Sequence, residues 1–183
     1  MLPGFRDFSS GPQTNLMVHF IDLVHFVLDL KFPKRVVALG GTFRWKEPYD
    51  VPDSVEVTYE YPEGFLVPYS TVFSNGAGNL ARWFGTRGTL DGVNLSPKQD
   101  WTATGEGSGE PDKLTEEFRI TAADNGPAPH MREFFERVRS RKQPVAPIDA
   151  GYAHSVAVIM ADEAMATGRR MTYDHSKREI HAG

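Results

Sequence analysis

The stretch SVEVTYEYPEGFLVPYSTVFS, residues 54–74, sets the fold class. Val55, Val57, Tyr59 and Tyr61 alternate with Ser54, Glu56, Thr58 and Glu60. Successive side chains on a strand point to opposite faces, so this pattern predicts a strand with one face buried. Pro62-Glu63-Gly64 supplies a turn, and the β-branched and aromatic run from Phe65 to Ser74 predicts the next strand. Strands joined by so short a turn pair antiparallel, because a parallel pair needs a long crossover.

Outward from this hairpin the pattern continues. Arg35–Trp45 predicts a strand ending or breaking near Gly40-Gly41. Residues 81–84 and 89–90 flank Gly85-Thr86-Arg87-Gly88 as a short hairpin, and residues 116–120 predict a weaker strand. Thr102 to Asp112 is polar and glycine-rich, which predicts an exposed loop. The period changes to helical at both ends. Leu16, Phe20, Leu23, Val24, Val27 and Leu30 predict a helix over residues 15–30, with Thr14 as its cap and Pro33 beyond its end. Met131, Phe134, Phe135 and Val138 form an i, i+3, i+4, i+7 stripe expected to face a core, with Arg137, Arg139, Arg141 and Lys142 at the end where the helix dipole favours cations. After Pro144–Pro147, Asp149 is expected to cap a helix to about Thr167, with Val156, Ile159, Met160 and Ala164 inward and Gly168 at the C-cap. Helix, a run of strands, then two helices gives an α+β class: an open, mostly antiparallel sheet with helices packed on one face. Residues 1–13 read as a lead-in and 14–183 as one domain.

The 183 residues carry 20 Lys+Arg against 24 Asp+Glu, a formal net charge of −4. Net attraction to nucleic acid or to an anionic membrane is therefore not expected. Without a single cysteine there are no disulfides, no cysteine-ligated metal and no thiolate nucleophile. No apolar run approaches about 20 residues, and MLPGFRDFSS lacks the charged and apolar regions of a signal peptide, so the expected location is the cytoplasm.

Asn15, His19 and Asp22 are spaced by four and three residues, which puts them on one helix face. An imidazole a turn from a carboxylate suits acid–base chemistry, and an amide a turn earlier suits a substrate hydroxyl. The same spacing also suits a surface histidine bonded to its own neighbour. A metal site from His19, Asp22 and His25 fails, because histidines six residues apart point about 120° apart. Gly76-Ala77-Gly78-Asn79-Leu80-Ala81 matches the G-x-G-x-x-A dinucleotide fingerprint, but the glycine-broken segment after it is expected to be a hairpin turn rather than a phosphate-binding helix. No G-x-S-x-G elbow and no P-loop is present. Trp45, Trp83 and Trp101 suit either sugar stacking or packing.

Three stretches in order carry a family resemblance: Gly11-x-x-Thr14-Asn15-x-x-x-His19-x-x-Asp22-Leu23; Pro52-Asp53-Ser54 followed by Phe84-Gly85-Thr86-Arg87-Gly88-Thr89-Leu90; and Phe134–Arg141 with Pro144, the 153–168 helix and Tyr173-Asp174. From about Gly11 to Ile180 the chain resembles the C-terminal domain of the Gfo/Idh/MocA oxidoreductases, the relatives of glucose–fructose oxidoreductase and inositol dehydrogenase. The resemblance implies an α+β substrate-binding and oligomerisation domain, forming homo-oligomers through its sheet, that works with an N-terminal Rossmann domain holding NAD or NADP. It implies His19 as the acid–base residue at a secondary hydroxyl of a sugar or polyol, with Asn15 (in the position of the family's aspartate) and Asp22 as substrate-binding residues, Asp22 also orienting the helix or the ring. It also implies that this chain alone, without the Rossmann domain and its lysine, holds no cofactor and does not turn over. Met17 stands where the family commonly has glycine. A stand-alone carbohydrate-binding or protein-pairing module is the competing expectation, and oxidation-assisted glycoside cleavage is a variant of the first.

Overall fold

The computed structural model describes residues 4–76, 80–92, 100–121 and 127–183. It divides into two compact units, Met1–Asn75 with Val145–Gly183, and Gly76–Pro144.

The first unit contains a five-stranded sheet built from β1 (Arg35–Gly41), β2 (Ser54–Glu60), β3 (Leu66–Val72), β8 (Met171–Asp174) and β9 (Glu179–Ala182), in the spatial order β3-β2-β1-β8-β9. Every neighbouring pair is antiparallel. The alternation in β2 is realised: Val55, Val57 and Tyr59 are buried and Glu56 faces out. Register carries that face across the sheet, setting Val36 opposite Tyr59, Ala38 opposite Val57 and Tyr69 opposite Val57.

Two helices supply the other half of this core. A π-helical turn, Gln13–Met17, runs directly into α1, Val18–Leu28. The second is α3, Ile148–Thr167, which buries Ala153, Val156, Ala157, Met160, Ala161 and Ala164. Its small residues let the helix lie close on the sheet, and the Tyr59 hydroxyl donates to the Ala157 carbonyl at 3.0 Å. Met17, Ile21 and Tyr59 meet in the same cluster. On the sheet's opposite face Val37, Leu39, Leu66 and Val72 remain exposed.

The second unit holds a four-stranded antiparallel meander, β4 (Ala81–Gly85), β5 (Gly88–Gly92), β6 (Asp100–Thr104) and β7 (Phe118–Thr121), together with α2 (Pro127–Ser140). Cross-strand partners place Trp83 opposite Leu90 and Trp101 opposite Gly92, and the two indoles stack 5.2 Å apart.

The α+β class and the antiparallel pairing are as expected, with the strands divided between two sheets. Strand β1 ends at Gly41, within the expected break at Gly40-Gly41, where the backbone beyond it turns to bind Asp53. Several details differ. Residues 102–104, expected in a loop, continue β6, where they pair with β5, and Thr102 and Ala103 pair with β7 as well. Thr14 does not cap α1: it lies inside the π turn, and its hydroxyl accepts the Ser10 N–H at 3.2 Å. Asp149 sits in the first turn of α3 rather than at its N-cap, which is Pro147, so it acts on the helix dipole alone. Gly168 does end α3 in the left-handed conformation, φ 65°. Ile159 points outward, and the α2 stripe Met131, Phe134, Phe135 and Val138 is 46–52% exposed instead of core-facing. Helical period decides which residues share a stripe, not whether a surface covers it.

Candidate functional site

The chain enters α1 through a turn tied down by its own side chains. Gly11 adopts φ 75°, a conformation that favours glycine, and a Cβ there would come within 3.2 Å of Val51 and of the Pro52 carbonyl in the segment before β2. The Gly11 carbonyl accepts both the backbone N–H of Asn15 (3.1 Å) and the side-chain Nδ2 of Asn15 (2.9 Å). Nδ2 also donates to Ser9 Oγ at 2.6 Å. With Nδ2 so engaged, the exposed Asn15 keeps Oδ1 as its remaining acceptor atom.

His19 is exposed on the first turn of α1, and among the described residues its ring has no hydrogen-bond or ionic partner. Asp22 does not pair with it. Its Oδ1 lies 2.9 Å from Nδ1 of His154 on α3, so this carboxylate ties α1 to α3 and leaves the His19 imidazole uncommitted. The expected grouping of three therefore resolves into an anchored amide, a free imidazole and a carboxylate engaged across helices.

A turn further on, His25 is buried, with Nε2 2.7 Å from the Tyr61 hydroxyl. Burial lowers the His25 pKa to about 4, helped by nearby His154 and opposed by Asp22. It is therefore neutral at pH 7, and burial likewise raises the Tyr61 pKa. This pair is structural in charge state: neither group titrates near neutrality. Among the described residues no three histidine or carboxylate side chains gather as a metal site.

Beside the α1 entry lies the loop between β1 and β2. Asp53 is buried, and its carboxylate accepts the backbone N–H groups of Phe43 (3.2 Å), Arg44 (2.7 Å) and Trp45 (3.1 Å) and the Ser54 hydroxyl (3.0 Å). Burial pushes its pKa up, and these bonds outweigh it, so the group titrates below the usual carboxylate range. The Asp50 side chain accepts the N–H of Arg6 at 2.7 Å, and the Tyr49 ring packs against Phe5.

The sequence spacing puts Asn15, His19 and Asp22 on one helix face and carries no sign of His154, which stands 132 residues from Asp22. Its only local signal is its place beside buried Ala153, at the edge of the α3 core stripe. Of the glycine motif, Ala77, Gly78 and Asn79 lie outside the described residues. The motif leads into strand β4, where the dinucleotide fingerprint needs a helix N-terminus. An open depression in the second unit, lined by Glu136, Arg137, Arg139, Ser140 and Lys142, belongs to one end of α2 and encloses nothing. Among the described residues no helix is long and apolar enough to cross a membrane.

Residues 5–91 match the model of the GFO/IDH/MocA C-terminal domain. No curated protein matches the chain. Solved structures do. The aldose–aldose oxidoreductase of Caulobacter crescentus, complexed with glycerol, aligns with TM-score 0.66 and 16% identity over 88% of this chain and 47% of its own. A UDP-N-acetylglucosamine 3-dehydrogenase from Acidithiobacillus ferrooxidans aligns with TM-score 0.65 and 14% identity over 88% of this chain and 51% of its own. An oxidoreductase of Agrobacterium radiobacter, in complex with NAD+, L-tartaric acid and magnesium, aligns with TM-score 0.60 and 17% identity over 86% of this chain and 48% of its own. The likeness is one of fold, and the chain spans about half the length of these structures. The resemblance read from the sequence is borne out.

Proposed function

We propose that this chain, matched over residues 5–91 to the GFO/IDH/MocA C-terminal domain, is the substrate-binding and oligomerisation half of an NAD(P)-dependent oxidoreductase acting on a secondary hydroxyl of a sugar or polyol. The observation that carries this reading is the exposed, unengaged imidazole of His19 beside the pre-anchored amide of Asn15.

Oxidation of a secondary alcohol removes a proton from oxygen and a hydride from carbon. His19 takes the hydroxyl proton, and in the reverse direction returns it. Asn15 accepts a neighbouring hydroxyl through Oδ1, fixing which carbon faces His19; as an amide it shares no proton of its own. Asp22 holds α1 against α3 through His154, and so positions the helix rather than the His19 ring. The described residues of this chain offer no strand–turn–helix cradle for a dinucleotide pyrophosphate. NAD or NADP, the hydride partner, is assigned in this reading to a second, nucleotide-binding half, with the chain alone inactive. The exposed Val37, Leu39, Leu66 and Val72 give the open sheet face the apolar character that pairing into a homo-oligomer requires. The expected setting is the cytoplasm.

The test is turnover of the complete enzyme, read as cofactor reduction. His19→Ala should lower kcat by about 10²- to 10⁴-fold, the usual range for a general acid–base group, with unchanged thermal stability. Unchanged turnover removes His19 from the mechanism. A native product that never partners a nucleotide-binding half would instead be the stand-alone binding module.

A further inference from the structure

Strands β1 and β2 are paired to their last residues, Gly41 opposite Ser54. Two residues suffice to close such a hairpin, and hairpin loops normally run to about five. The intervening residues 42–53 are therefore far more chain than the connection needs. This surplus is not loose. The Thr42 hydroxyl donates to the Val51 carbonyl at 2.7 Å and closes the loop at its base. Asp53, 4% exposed, spends its carboxylate on three successive backbone N–H groups, those of Phe43, Arg44 and Trp45. Burying a carboxylate is costly unless its hydrogen bonds are satisfied, so the fold commits a charge to fixing this one bend of backbone.

That bend presents two aromatic side chains to solvent: Phe43 is 69% exposed and Trp45 38%. The loop's other end approaches the same turn: a Cβ on Gly11, whose carbonyl anchors Asn15, would come within 3.2 Å of Val51 and of the Pro52 carbonyl. A rigid, aromatic-bearing loop thus shares its foundation with the proposed substrate amide. Exposed aromatics on an immobilised loop bind flat partners at low entropic cost.

We propose that the 42–53 loop is the specificity wall of the substrate site and that Trp45 stacks on the apolar C–H face of a pyranose ring, while Asn15 and His19 handle its hydroxyls. The proposal rests on the sugar reading above and deepens it from hydroxyl compounds in general to ring sugars. Asp53 is a positioning residue: it acts through the backbone of Phe43, Arg44 and Trp45. An open-chain polyol has no ring face to offer and binds the wall less well.

The experiment is saturation-transfer NMR on the full chain with methyl β-D-glucopyranoside as probe and sorbitol as the open-chain comparison. Saturation should reach the axial ring protons, and the glucoside should bind more tightly than sorbitol. Trp45→Ala should weaken glucoside binding about five- to tenfold, with Trp45→Phe recovering most of it, as expected for one aromatic stack. Circular dichroism of Trp45→Ala should match the parent, since the side chain is partly exposed. No saturation of the ring protons in the parent chain, or equal binding by Trp45→Ala, overturns the wall. Neither result touches the His19 reading, which turnover of the complete enzyme decides separately.

Discussion

The two units use the same strand pairing and reach different ends. In the first, antiparallel strands lie under α1 and α3, and Met17, Ile21, Val36, Tyr59 and Ala157 are removed from water almost entirely. In the second, an equally regular meander keeps Phe118 65% and Ile120 58% exposed, and the α2 stripe is half exposed too. Hydrogen-bonded strands alone do not make a core; a helix bearing on the sheet does, because burial of apolar area supplies most of the stability. The candidate site stands where that support is strongest, on α1.

The sharpest way to test the contrast is to empty each unit in turn. Tyr59→Ala should cost about 3–5 kcal/mol in urea unfolding, the usual range for a large aromatic lost from a packed core, and it also removes the hydroxyl's bond to the Ala157 carbonyl. Next comes Asp53→Ala, which leaves the N–H groups of Phe43, Arg44 and Trp45 without their charged acceptor and should cost about 2–3 kcal/mol.

A third effect comes from pH. His25 has its pKa lowered to about 4 in the folded chain, against about 6.5 unfolded. The unfolded state therefore takes up a proton first as pH falls, so stability declines between about pH 6.5 and 4. Between pH 7.5 and 5 the loss should be about 2 kcal/mol, and His25→Gln should flatten that slope. The smallest effect belongs to the second unit: Phe118→Ser or Phe134→Ser, at exposed positions, should change stability by no more than about 0.5 kcal/mol. A large loss there would show that those faces are covered after all and would erase the contrast.

The sequence made the local features readable and the long-range ones not. Val55, Val57 and Tyr59 announced their strand because alternation is a property of the strand itself. The π turn, Gln13–Met17, looked like ordinary helix, since its spacing of apolar residues differs little from α over a single turn. β8 and β9 escaped notice: four-residue strands around Asp174 and Ser176 show too short a pattern, although the Asp174 carboxylate accepts the N–H groups of Ser176 and Lys177 to close the turn. That Asn15 and His19 share one exposed face was legible from spacing. That Asp22 would choose His154 over His19 was not, because the choice depends on how α1 and α3 pack. The exposure of Met131 and Phe134 was hidden for the same reason.

The central claim is that His19 moves the substrate hydroxyl proton, and chemical rescue tests it most directly. In the complete enzyme carrying His19→Ala, added imidazole should restore turnover in proportion to its concentration, because a diffusible base replaces the missing ring. A variant as active as the parent, or an inactive one that imidazole does not restore, would contradict the account.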